Sequence, residues 1–236
     1  MFEFNDKVAI VTGAASGLGE AISRELAACG ARLVLADLNV DRAHALAAEI
    51  GDDSAIPLRT DVATAADVEA MVALTVKSFG RLDLAVNNAG VGGASAPAGE
   101  YDLAECRRVV RTDVAGGVRG GRYQNLAMLA SGGGAIVNMS SICGMLGLPG
   151  TIAYTAAKHA VVGMTRTAAV DYARQRIRIN AVGPAVIDTP LIRAQGEPSP
   201  ALIEQHPLGR LGRPEEVAAL VAFLLSDPAS FMTSGY

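Results

Sequence analysis

A chain of 236 residues, half of them apolar and with a net charge of only −4, is long enough to bury the core of one sizeable α/β domain. It contains no block of Lys and Arg, which argues against nucleic acid and against an anionic membrane as partners. Three scattered cysteines, Cys29, Cys106 and Cys143, show neither metal-ligand spacing nor an even disulfide framework, so they read as reduced, packed thiols of a cytoplasmic protein; no secretory signal pattern opens the chain.

In chain order, Lys7–Val11 is a short apolar run that predicts a buried strand. Thr12-Gly13-Ala-Ala-Ser16-Gly17-Leu18-Gly19 follows and opens an amphipathic helix to about Ala28. Glycines between a strand and a helix let backbone amides approach a pyrophosphate at the helix N-terminus. Arg32–Ala36 predicts a second strand, ended by Asp37. An acid about 20 residues past the glycines is placed to accept from a ribose 2′-hydroxyl and would repel a 2′-phosphate. Neither Ser16 nor Leu38 offsets that charge, so NAD is expected over NADP.

A helix over Val40–Ile50, a strand near Ala55–Arg59 and a helix over Ala65–Phe79 come next. Asp61 is placed either to cap that helix or to lie near an adenine. Asp83–Val86 predicts a fourth strand running into Asn87-Asn88-Ala89-Gly90, and helical sequence extends from Asp102 to about Ala130. Residues 123 to 157 carry no charged side chain, but Ser131-Gly-Gly-Gly134, Asn138, Ser140, Ser141 and Pro149 interrupt the run, so it reads as a buried strand (Gly134–Met139) and a polar loop rather than a membrane span. A helix over Ala153–Tyr172 and a strand over Arg176–Val182 follow, then Gly183-Pro184-Ala185. Asp188–His206, with three prolines, predicts a loop suited to act as a lid, and Pro214 opens a last helix to about Leu225.

Strand and helix alternate without a linker or repeat, the pattern of one α/β domain over residues 1–236 with a doubly wound parallel sheet of Rossmann type. Such sheets bind ligands beyond the carboxyl ends of their strands. The glycine turn, Asp37, Asn87–Gly90, Ser141 and Pro184 all fall at predicted strand ends. Tyr154 and Lys158 lie four residues apart, on one helix face. An ammonium beside a phenol favours the phenolate, so Lys158 is expected to lower the Tyr154 pKa and fit it for acid/base work. Only three lysines occur, against many arginines, and Lys158 stands where an ammonium is harder to replace. A Ser141 hydroxyl aimed at the same point can hold a carbonyl or alcohol oxygen. His44, His159 and His206 form no ligand cluster, and His159, about 100° around the helix from Lys158, reads as packing.

These motifs together resemble the short-chain dehydrogenase/reductase family, in its compact one-domain branch, over nearly the whole chain. Thr12–Gly19 matches the family's cofactor turn, Asn87–Gly90 its Asn-Asn-Ala-Gly, and Ser141, Tyr154 and Lys158 its catalytic serine, tyrosine and lysine. Asn180 and Pro184–Thr189 are similar to its segment after the sixth strand. The resemblance implies hydride transfer between NAD(H) and a secondary alcohol or ketone, often in a homotetramer or dimer. It gives Tyr154 the acid/base role, Ser141 the orienting of the substrate oxygen, and Lys158 a hold on the nicotinamide ribose. The implied cofactor residues are Gly13, Ser16, Gly17, Leu18 and Gly19 at the turn, Asp37, Leu38, Asp61, Val62, Asn88, Ala89 and Gly90 along the strand ends, and Tyr154, Lys158, Pro184, Ile187 and Thr189 beyond.

The chain departs from the family in three places and ends early. The family's fourth catalytic residue, an asparagine, is Asp113 here, in Asp113-Val-Ala-Gly116, which predicts lower turnover or a shifted pH optimum. Gly116–Gly121 is glycine-heavy and carries Arg119, suiting either close helix packing or a weak helix. The family's Pro-Gly is Pro184-Ala185. After Tyr236 the family's last strand is expected and missing from this sequence. Two other functions fit less well: a catalytically weakened dinucleotide-binding sensor or partner subunit, and an NADPH-dependent reductase of carrier-bound 3-oxoacyl groups.

Overall fold

The computed structural model describes residues 2–51, 53–194 and 196–236. Six strands form one all-parallel sheet: β1 (Val8–Thr12), β2 (Arg32–Asp37), β3 (Ala55–Arg59), β4 (Leu84–Asn87), β5 (Gly134–Met139) and β6 (Ile177–Val182), in the order β3-β2-β1-β4-β5-β6. Their continuous apolar runs follow from burial on both faces. Alternate side chains go to opposite sides. Ala9, Val11, Leu33, Leu35, Leu84 and Val86 join one core, while Ile10, Val34 and Ala85 join the other.

The first core is closed by α1 (Gly17–Ala28), α2 (Val40–Ile50) and α9 (Pro214–Leu225), through Ile22, Leu26, Leu46 and Val221. The second is closed by α3 (Ala65–Phe79), α5 (Ala115–Ser131) and α6 (Ile152–Tyr172), through Val68, Met71, Met128 and Ala169. Arg178 of β6 donates to the carbonyls of Leu224, Leu225 and Ser226 at 2.6, 3.2 and 3.1 Å, which satisfies the buried carboxyl-terminal end of α9. Burial pulls its guanidinium below the ordinary arginine value.

The helix expected over Asp102–Ala130 has three parts. A short α4 (Leu103–Val109) leads into one π-helical turn, Val110–Val114, and then into α5. Such turns are rare and are often found at functional sites. The segment 188–206 differs from the expected loop. It contains two short helices, α7 (Pro190–Arg193) and α8 (Pro200–Glu204). Each starts with proline at its first turn, where the fixed φ suits a helix and the missing N–H costs nothing. Proline read only as a breaker hides such a start.

The glycines of α5 permit close packing within the chain. A Cβ on Gly116 would meet Val62 Cγ2 at 3.0 Å, and one on Gly120 would lie 2.7 Å from Asn87 Oδ1. That oxygen cannot easily move. It accepts from Gln124 Nε2 at 2.8 Å, while Asn87 Nδ2 donates to Gln124 Oε1 and to Asn138 Oδ1. We expect Gly120→Ala to destabilise the protein by about 1–3 kcal/mol, outweighing its helix-propensity gain. At Gly121 the nearest atom to an added Cβ is 3.8 Å away. Gly121→Ala is therefore expected to stabilise by about 0.5–1 kcal/mol. Denaturant midpoints of the two variants, shifting in opposite directions, are the check.

Candidate active site

The sheet order reverses between β1 and β4, so the connections leaving these neighbours diverge and open a crevice at their carboxyl ends. The cleft found there has a volume of about 940 Å³. Its floor at β1 is held to β4 by side chains. Thr12 Oγ1 accepts from the amides of Asn88 (3.0 Å) and Ala89 (3.1 Å), and Asn88 Nδ2 donates to the carbonyls of Thr12 and Gly13. Gly13 sits at φ +61°, a conformation costly to any residue with a Cβ.

Along one end the cleft is lined by Gly13, Ser16, Leu18, Asp37 and Leu38, then by Asp61, Val62, Asn88, Ala89 and Gly90. Asp37 is held in place. Its Oδ2 accepts from Ala15 N at 2.9 Å and its Oδ1 from Asn39 N at 2.8 Å, leaving each oxygen a further lone pair. Asp61 does not cap α3, whose N-cap is Thr64; it accepts from Ala63 N at 2.9 Å and faces the cleft. Gly17 and Gly19 shape the turn without lining it. Gly17, at φ +54°, lies beneath Thr189, and Gly19 packs under the Gly13 carbonyl and Asn88.

At the other end the cleft is lined by Ser141, Tyr154, Lys158, Pro184, Ile187 and Thr189. Ser141 follows β5 in extended conformation and accepts from Cys143 N at 3.3 Å, which leaves its own proton available. Tyr154 lies in the first turn of α6, and no described protein group hydrogen-bonds its hydroxyl. Lys158 is buried. Its Nζ lies 5.2 Å from the Tyr154 ring centroid, donates to the Met139 carbonyl at 3.2 Å, and faces Asp113 Oδ2 at 3.1 Å.

Asp113 itself lies behind this lysine rather than in the cleft. The π turn carries it into the interior, where it is 4 % exposed and its Oδ1 accepts from Val91 N at 2.9 Å. Its Oδ2 has no aligned hydrogen-bond donor, so its contact with Lys158 is an ion pair held by charge and proximity. With Lys158 it borders a small cavity of about 20 Å³.

Sequence reasoning missed the rim. Arg107, Arg108 and Arg111 of α4 and the π turn, and Leu191 and Ile192 of α7, also line the cleft. Their helical spacing was visible, but which face meets the cleft depends on tertiary placement. Arg119, unexpected in an apolar position, donates to the Val62 and Arg111 carbonyls and ties α5 to the loop after β3. His159 is exposed rather than packed, its Nδ1 3.0 Å from the Thr155 carbonyl oxygen. At the mouth Asp188 pairs with Arg193 at 2.7 Å, and the guanidinium holds its carboxyl below the usual range.

A dinucleotide fits this donor set: a glycine turn without side chains at a strand–helix junction, an oriented carboxylate one strand away, and a cleft long enough to run from that carboxylate to Tyr154. A family model described as enoyl-(acyl carrier protein) reductase matches residues 13–235. The chain belongs to the short-chain dehydrogenase/reductase family. The cyclohexanol dehydrogenase of Acinetobacter sp. (strain SE19) is 43% identical over 233 residues, covering 98% of this chain and 92% of that one. The crystal structure of levodione reductase superposes with a TM-score of 0.94 at 39% identity, over 99% of this chain and 95% of that one. The structure of NAD+-bound xylitol dehydrogenase gives a TM-score of 0.94 at 32% identity, over 98% and 96%. This chain is an oxidoreductase that transfers hydride between a nicotinamide dinucleotide and a secondary alcohol or ketone. No helix among the described residues is long and apolar enough to cross a membrane.

Proposed function

We propose that this protein is an NAD-dependent dehydrogenase of cyclic secondary alcohols. The observation that carries the reading is the convergence of Ser141, Tyr154 and Lys158 at one end of a cleft whose other end presents Asp37. The bound dinucleotide supplies the hydride acceptor or donor. Ser141 Oγ–H donates to the substrate oxygen and orients it. Tyr154 Oη takes the proton of that oxygen during oxidation and returns it during reduction. The Lys158 ammonium stabilises the negative charge that Tyr154 bears when its proton is gone, and holds the cofactor ribose.

Asp37 supports NAD over NADP. A 2′-phosphate brought to this cleft would meet a carboxylate already fixed by two backbone amides. The cyclic substrate class is supported by the relative named cyclohexanol dehydrogenase and by the apolar Leu191 and Ile192 beside the mouth. Exposed Val118 and Leu126 on α5 and Val170 on α6 support assembly into a homo-oligomer, whose mass light scattering would report. The buried, unpaired Cys29 and Cys143 support a cytoplasmic location.

The test is NADH formation from NAD+ with a panel of cyclic and linear secondary alcohols, repeated with NADP+. We expect turnover with cyclohexanol-type substrates and kcat/KM at least about tenfold higher with NAD+. Equal use of NADP+ would overturn the cofactor assignment. Turnover confined to linear alcohols would overturn the substrate class.

A further inference from the structure

We infer that Asp113 is a charge-compensating residue that tunes the site toward oxidised cofactor: its carboxylate cancels the Lys158 charge, so that the cleft binds NAD+ more tightly relative to NADH. The inference rests on the cofactor proposed above.

The starting observation is the buried pair. The Lys158 and Asp113 side chains are only 6% and 0% exposed, and their charged atoms are 3.1 Å apart. Stability does not explain a carboxylate there. Burying an ion pair seldom gains over a neutral pair of the same shape, because both ions lose their water. An asparagine could keep the bond that Oδ1 accepts from Val91 N at 2.9 Å. What aspartate alone adds is a negative charge on Oδ2, the oxygen that faces Lys158 and has no aligned hydrogen-bond donor.

That charge lies where it matters for one part of the cofactor. Hydride passes directly between the nicotinamide ring and the carbon whose oxygen Tyr154 and Ser141 hold. The ring must therefore lie beside those side chains, and Lys158 Nζ is 5.2 Å from the Tyr154 ring centroid. The nicotinamide ring is a cation in NAD+ and neutral in NADH. A lone lysine charge would repel the oxidised form and leave the reduced form nearly unaffected. Paired with Asp113, the lysine presents a dipole instead of a net charge. Of the other charged side chains lining the cleft, Asp37 and Asp61 are half-buried at its far end, beyond β1, and Arg107, Arg108 and Arg111 are exposed to solvent screening. The consequence favours loading with NAD+ and release of NADH, the two cofactor steps of alcohol oxidation.

The experiment measures dissociation constants without turnover. NADH binding is read from its fluorescence, and NAD+ binding from displacement of NADH. A unit charge added within about 10 Å of a cation in a partly buried site changes its affinity by about tenfold. Asp113→Asn is expected to raise the ratio Kd(NAD+)/Kd(NADH) by that factor. The double variant Asp113→Asn/Lys158→Gln, which restores neutrality, is expected to return the ratio to the wild-type value within about threefold. The hold of Lys158 on the ribose is common to both nucleotides, so its removal cancels in the ratio. Asp113→Ala makes the same charge change and serves if the asparagine variant does not fold. An unchanged ratio in the Asp113 variant, or one that the double variant does not restore, overturns the inference, since a purely structural role would weaken both nucleotides alike. If neither nucleotide binds the wild-type protein, the cofactor assignment fails and the inference with it.

Discussion

Tyr154→Phe is expected to lower kcat by about a thousandfold, within the range that proton transfer by a positioned side chain supplies. It should change nucleotide affinity by no more than about threefold and stability by less than about 0.5 kcal/mol. The separation of these effects follows from the surroundings of the hydroxyl. The ring keeps its place in the first turn of α6, and no described protein group hydrogen-bonds the oxygen, so its removal breaks no internal bond. What is lost, in the proposed mechanism, is the group that would accept a proton at the substrate oxygen. In that mechanism Ser141 and Lys158 would remain to bind and orient but could not replace it. The Ser141 hydroxyl is a far weaker acid, and Lys158 is turned between the Met139 carbonyl and Asp113. Steady-state rates, NADH titration and a thermal melt on one preparation would give all three numbers. Retention of more than about a tenth of wild-type kcat would remove Tyr154 from the acid/base role.

The parts of this protein legible in its sequence were those set by local pattern. Strands buried on both faces must be apolar at every position, as Val8–Val11 and Leu33–Ala36 are, and helices such as Val40–Ile50 and Ala65–Phe79 carry a single buried stripe. That the candidate residues at strand ends would line one cleft was legible for the same reason: once the strands are placed, a parallel sheet sends their carboxyl ends to one side. What escaped depends on distant partners. No local signal says that residues 110–114 form a π turn, because that turn is held by packing that brings Asp113 against Val91 and Lys158. Whether the glycines at 116–121 pack closely or merely weaken their helix is decided by Asn87, Val62 and Met164, three residues far from them in sequence. Asn87 itself is legible as part of a motif, yet its amide is committed to Gln124 and Asn138 beneath the cleft.

Gly19→Ala is expected to cost about 3 kcal/mol or more and to weaken NADH binding by more than about a hundredfold. A single methyl has this effect because of what it would strike. An added Cβ would overlap the carbonyl oxygen of Gly13 and approach Asn88 Nδ2 to 2.7 Å. Neither atom can yield alone. Gly13 is held at φ +61° between β1 and the turn, and its carbonyl accepts from that same Asn88 amide at 3.1 Å. Moving it would disturb the Thr12 and Asn88 bonds that tie β1 to β4, and with them the floor of the cleft. Sequence pattern alone assigns this glycine to close approach by a phosphate, whereas the structure assigns it to close approach by the protein's own backbone. Gly17→Ala separates the two reasons. Gly17 also has positive φ, +54°, but its Cβ would meet only ordinary contacts, Thr189 at 3.5 Å and Pro190 Cδ at 3.7 Å. Its cost is therefore limited to the left-handed backbone, about 1–2 kcal/mol. Chemical denaturation and NADH titration of both variants would check the order. A Gly19→Ala protein as stable as Gly17→Ala would show that the turn can relax around a side chain, and that its glycine is there for the ligand.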